Sequence, residues 1–242
     1  MNQVLAEIMR TGLTKTADGN GSIKVHSAIS KDEGEFLQRC VREVAPAVSL
    51  EIGLAHGISA LFICDALRPE ARHIIIDPNQ HDSWDGIGLA NLTRAGFGNQ
   101  IHLIEKPSYQ ALAQLEVTGQ RIDFAFIDGW HTFDFTLVDF FYIDRMLNVG
   151  GIVAFDDANW PAVRKVCRFV NSNLSYSVFG VEGSDEKPRM KHRLLKQLLN
   201  RRPFRSMLRP EIIYSNEGLA GSCIAFRKTE DDTRRWDHYR DF

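Results

Sequence analysis

Five short apolar runs, at residues 48–53, 72–77, 101–104, 122–127 and 152–155, each end in or beside a carboxylate: Glu51, Asp77, Glu105, Asp128 and Asp156. A segment with helical periodicity follows each run. Strands alternating with helices require β-α-β units and a mainly parallel sheet. The near-continuous apolar character of the runs predicts strands covered on both faces. Crossovers between them should be right-handed. Two further strand-like runs, 176–179 and 223–226, follow without a crossover helix between them and bring the total to seven. No internal repeat interrupts this pattern, and 242 residues suffice for one α/β domain with a large core. The expected organisation is therefore a single domain over 1–242, with an N-terminal helical or lid segment at 1–46 and a basic insertion at 181–220. Ser30 and Glu33 read as the capping box of a helix ending before Pro46. Gly150-Gly151 reads as the stop of the helix that begins near Thr132.

In an open α/β sheet, ligands bind beyond the carboxyl ends of the strands, so the residues just after each run are the candidates. The first turn carries Glu51, Gly53, Gly57 and Ser59. Glycine admits a close backbone approach, and the amides of the following helix start offer donors to an anionic group. A carboxylate at the end of the first strand suits a cationic amino group. The spacing is neither Gly-x-Gly-x-x-Gly nor that of a P-loop, which argues against nicotinamide dinucleotides and P-loop nucleotides. Asp77, at the second strand tip, is placed to accept hydrogen bonds from ribose hydroxyls. Ser108 opens the helix after the third strand and can serve as a cap.

The distinctive constellation is Asp128-Gly129-Trp130-His131 with Asp156-Asp157. Carboxylates on neighbouring strand tips repel unless a cation or proton joins them. Asp128, Asp156 and Asp157 form an oxygen-only donor set of the kind Mg²⁺ prefers. Such an ion would hold vicinal substrate oxygens and favour a deprotonated hydroxyl. His131 is the candidate general base, since imidazole exchanges protons near neutral pH. Trp130 reads as pocket wall. Asp134 and Asp139 read as solvated or salt-bridged helix residues, His56 as facing solvent, and His26 as loop filler.

Leu50-Glu51-Ile52-Gly53…Gly57-Ile58-Ser59 resembles motif I of class I S-adenosylmethionine (SAM) dependent methyltransferases. Asp128…His131 with Asp156-Asp157 resembles the metal-dependent O-methyltransferases, closer to the macrolide-sugar enzymes than to the catechol enzymes. The likeness runs from about residue 19 to 155 and again over 223–242. Asp156 is a departure, since the sugar enzymes carry glutamate there. The resemblance implies a Rossmann-like domain with a seven-stranded, mainly parallel sheet and one antiparallel strand. It implies SAM held by Glu51, Gly53, Gly57, Ser59, Asp77, Ser108 and Asp128, with Ser108 near the adenine. It implies Mg²⁺ held by Asp128, Asp156 and Asp157, and transfer of a methyl group to a small-molecule hydroxyl with His131 as base.

Charge and cysteine usage fit that reading. A net charge of −2 carries no nucleic-acid signal. Cys40, Cys64, Cys167 and Cys223 are scattered and read as reduced core thiols of a cytoplasmic protein. No apolar run reaches the roughly 20 residues of a membrane span. The stretch 187–209 holds nine Lys or Arg and no acid, with Met190, Leu194, Leu195, Leu198 and Leu199 on one helical face. It reads as a lid or a homo-oligomer contact rather than a membrane anchor. Two alternatives share the fold: a non-catalytic SAM- or partner-binding protein, and another nucleotide-dependent enzyme.

Overall fold

The computed structural model describes residues 1–183 and 219–242; the basic stretch 187–209 lies outside the described residues. Helix α1 (Gln3–Thr11) is capped by Asn2, whose side chain accepts from the Val4 amide. A hairpin follows, β1 (Leu13–Lys15) and β2 (Ser22–Lys24), turning through a segment that holds Gly19-Asn20-Gly21. Helix α1 falls in the segment expected to be helical or a lid; the hairpin was not expected from the sequence. Helix α2 (Lys31–Val44) starts at Ser30, whose Oγ accepts from the Glu33 amide at 3.2 Å. The alternating units then run β3 (Val48–Ile52), α3 (Ile58–Ala66), β4 (Arg72–Ile76), α4 (Ile87–Arg94), β5 (Ile101–Ile104), α5 (Ser108–Val117), β6 (Ile122–Ile127), α6 (Phe133–Met146), β7 (Leu147–Phe155), α7 (Pro161–Asn173), β8 (Tyr176–Glu182) and β9 (Cys223–Lys228).

Seven strands form one sheet in the order β5-β4-β3-β6-β7-β9-β8. The neighbours from β5 to β7 pair in parallel, and β9 is antiparallel to both β7 and β8. Only β9 therefore runs against the rest. Alternation of side chains sends Leu50 and Ile52 to one face and Phe124 and Phe126 to the other. The first face packs under α5, α6 and α7, the second under α1, α2 and α3. All four cysteines are buried as free thiols.

One boundary differs from expectation. Gly150-Gly151 lies inside β7, which begins directly after Met146. Gly150 takes φ +88°, and the β6–β7 register shifts between Ile122 and Phe124. The glycine pair is thus an irregularity in a strand, not a helix stop. Among the described residues no helix is long and apolar enough to cross a membrane.

Candidate functional site

The strand order reverses between β3 and β6, and a cavity of about 340 Å³ opens there beyond the carboxyl ends of the strands. Gly53, Ser59, Asp77, Ser108, Asp128 and His131 all line it. Glu51, Gly57, Asp156 and Asp157 do not.

The glycine loop is built by two close approaches. Gly53 takes φ +90°, its amide donates to the Ile76 carbonyl at 2.9 Å, and a Cβ there would stand 2.1 Å from the Asp128 carbonyl oxygen. The β3 and β6 tips can lie this close only because residue 53 lacks a side chain. Gly57 takes φ +79° as the cap of α3, against Gly88. It shapes the loop from behind, and it is Ser59 that reaches the cavity.

Asp77 is buried and clamps that loop. One oxygen accepts from the Leu54 and Ala55 amides at 3.0 and 3.1 Å, and the other from the Asn79 amide at 2.9 Å. Residues 27–29 and Trp84 close the mouth. His26 and His56 pack against each other and against Trp84, with ring centroids 4.8–5.4 Å apart. His56 is buried rather than solvent-facing, and its Nδ1 lies 3.2 Å from the His26 carbonyl. Burial holds its pKa below the ordinary histidine value.

Glu51, expected to contact the cofactor, does not line the cavity. Alternation along β3 turns its side chain to the sheet face opposite Ile52, where it is fully buried. Its Oε2 meets His73 Nε2 at 3.0 Å, and His73 Nδ1 meets Ser49 Oγ at 2.9 Å. This polar relay sits inside the sheet, closed to substrate. Removing one partner of a buried pair strands the other. His73→Ala is therefore expected to lower unfolding stability by about 3 kcal/mol in urea titration; a change below about 1 kcal/mol would show that the relay does not hold the strand pair together.

The acids gather around His131 and Asp128, partly behind the cavity wall. His131 Nε2 lies 3.7 Å from Asp128 and 3.5 Å from Asp157. Asp157 adopts φ +48°, and its amide donates to Asp156 Oδ1 at 2.7 Å. Asp128 keeps about a quarter of its side chain open to the cavity. Burial and then the charge of Asp156 raise its pKa well above the carboxylate range. Asp157 is raised by burial and by Asp156, with His131 opposing.

A fourth acid joins from α2. Glu33 is buried beside Asp156, and its pKa is pushed up to about 9 by burial and then by the neighbouring carboxyl of Asp156. Its Oε1 has no partner. The capping box located Glu33 on its helix, but no local signal placed it beside Asp156. Asp139 also differs from expectation. It is buried, not solvated, and its Oδ1 is unpartnered.

The oxygen-only chemistry of Asp128, Asp156 and Asp157 suits a hard divalent cation. Their arrangement is not that of a formed metal centre: among the described residues no group of three or more His, Cys, Asp or Glu side chains is placed to hold a metal ion.

Residues 50–158 match a family model described as "Methyltransferase domain". The tapetum-specific methyltransferase 1 of Arabidopsis thaliana is 32% identical over 133 residues, covering 53% of this chain and 54% of that protein. The caffeoyl-CoA O-methyltransferase 2 of Petunia hybrida is 28% identical over 138 residues, covering 54% of each. The chain thus spans about half the length of these relatives. Among solved structures, the O-methyltransferase from Bacillus cereus in complex with SAH superposes with a TM-score of 0.63 at 18% identity, covering 94% of this chain and 92% of that one. The O-methyltransferase TomG from Streptomyces achromogenes, in complex with SAM, gives 0.64 at 16% identity, covering 95% and 91%.

Proposed function

We propose, from the premise that this chain carries a methyltransferase domain with the Rossmann-like class I SAM-dependent fold, that it transfers the methyl group of SAM to a hydroxyl oxygen of a small molecule. One observation carries the reading. The glycine loop, Asp77, Ser108 and the Asp128–His131 turn face a single cavity across the strand-order reversal.

In this reading the loop from Gly53 to Ser59 receives the amino-acid part of the donor through its amides and the Ser59 hydroxyl. Asp77 holds the loop closed and turns its remaining acceptor capacity to the ribose. Trp130 and Phe135 wall the cavity. The acceptor hydroxyl lies near His131. His131 Nε2 takes the hydroxyl proton as the oxygen attacks the sulfonium methyl carbon; the C–S bond breaks and S-adenosylhomocysteine leaves. Asp128 and Asp157 flank the imidazole and stabilise the imidazolium that forms. Much of the acceleration comes from holding nucleophile and methyl group in line. Asp128, Asp156 and Asp157 supply the oxygen donors that would hold Mg²⁺ only once drawn together, since as they stand they form no metal-holding group; a bound ion would then supply Lewis acidity toward the acceptor oxygen. The acceptor class comprises sugar-type or phenolic natural products with adjacent hydroxyls.

The test is methyl transfer from isotopically labelled SAM to a panel of vicinal diols and catechols, with and without EDTA. Label is expected in at least one acceptor, with turnover lost on chelation and restored by Mg²⁺. Full activity in EDTA would remove the cation from the reaction. Absence of SAM binding by calorimetry would remove the reading itself.

A further inference from the structure

The turn from Leu54 to Gly57 is held by two buried carboxamides. Gln80 is fully buried, and its Nε2 donates to the Ala55 carbonyl at 3.1 Å. Asn91 is 1% exposed, and its Nδ2 donates to the His56 carbonyl at 2.8 Å. Ala55 and His56 line the cavity, whereas Gln80 and Asn91 lie behind the loop. Asp77 accepts from the Ala55 amide at 3.1 Å, so this one residue is gripped at both its N–H and its C=O. Gln80 is itself fixed, since its Oε1 accepts from the Leu89 amide at 3.4 Å.

The grip matters because Ala55 adopts φ +47°. A residue with a Cβ is unfavourable in the left-handed region, and such strain persists only where the surroundings over-determine it. The oxygen and the N–H of one trans peptide point in opposite directions. With the Ala55 oxygen turned back to Gln80, the His56 N–H turns away from Gln80. The amides on either side are used, that of Ala55 by Asp77 and that of Gly57 by the Leu54 carbonyl at 2.6 Å. Among the described residues the His56 N–H has no hydrogen-bond partner, although His56 is only 2% exposed. Buried backbone donors are almost always paired. An unpaired one on a cavity wall points to a ligand that accepts from it.

We propose that Gln80 is a positioning residue for the cofactor: with Asp77 it holds Ala55 left-handed and so turns the His56 amide into the cavity, where that amide donates to an anionic oxygen of the bound methyl donor. The inference rests on the reading of the cavity as a SAM site. SAM carries one anionic group, the carboxylate of its amino-acid part, and that is the group the amide meets. Without the Gln80 donor the Ala55 carbonyl is left unpaired. The peptide then rotates, φ relaxes to negative values, and the His56 N–H leaves the cavity. Glycine carries no penalty against positive φ, so Ala55→Gly keeps the peptide turned in part even without the clamp.

The experiment is calorimetric binding of S-adenosylhomocysteine to the wild-type chain, Gln80→Met, Ala55→Gly and the double variant, with folding checked by circular dichroism. Gln80→Met is expected to weaken binding by about tenfold or more. Adding Ala55→Gly to it should recover about threefold or more, because the strained turn then needs no clamp. The same change in the wild-type background should gain less, since Gln80 already holds the turn. A second measurement needs no variant at position 80: hydrogen exchange at the His56 amide of the wild-type chain should slow by about tenfold or more when S-adenosylhomocysteine binds. A folded Gln80→Met with wild-type affinity, a loss that Ala55→Gly does not recover, or unchanged exchange at His56 with ligand bound overturns the proposal while leaving the cofactor reading in place. If S-adenosylhomocysteine does not bind the wild-type chain, the cofactor reading fails and takes the proposal with it.

Discussion

Gly53→Ala is expected to cost at least about 4 kcal/mol of stability and to abolish measurable SAM binding. Two separate terms add. An alanine at φ +90° occupies a region that L side chains avoid, at about 1–2 kcal/mol. The new methyl would also stand 2.1 Å from the Asp128 carbonyl oxygen, a backbone atom with no rotamer to yield. The β3 and β6 tips must then separate, and with them the loop and the Asp128–His131 turn that share the cavity. Gly119→Ala is the control. It has φ +73° with nothing within 4 Å, so it carries the first term without the second and should cost about 1 kcal/mol. Thermal unfolding and calorimetry with SAM read both effects. Equal costs at the two positions would mean that the tips move apart freely.

His131→Ala is expected to lower kcat by about 10² to 10⁴ while leaving SAM affinity within about threefold. The imidazole lines the cavity beside Asp128 and Asp157, and in the proposed reading it faces the acceptor rather than the donor. The loss should therefore fall on proton removal rather than on donor binding. A steady-state comparison of kcat with the calorimetric SAM affinity separates the two. Retention of kcat within threefold would take His131 out of the proton transfer. Weakened SAM binding at unchanged kcat would make it a cofactor contact instead.

Much of the sheet was readable because its signals are local. Near-continuous apolar runs such as 122–127 and 152–155 can only be strands covered on both faces, and helical segments between them force parallel crossovers. The hairpin at Leu13–Lys15 and Ser22–Lys24 was not readable. Three-residue strands with exposed ends carry too few alternations to register. Gly34 gives no sequence signal either, yet a Cβ there would meet the Phe62 ring at 2.3 Å, and α2 and α3 pack closely because of it.

The sequence by itself determined the alternation of strands and helices, the glycines that let a strand tip turn sharply, and the placing of acids at strand ends. These follow from periodicity and backbone sterics, which act over a few residues. Only the tertiary structure decided what each charged group does. Glu51 ends in a strand like Asp77, but its face of the sheet is covered, and it became a buried partner of His73. Glu33 and Asp139 looked like ordinary helix carboxylates until β7 and α5 brought Asp156 and Ser108 against them. A carboxylate's hydration and partners depend on elements distant in the chain, and no local pattern encodes which ones will pack over it.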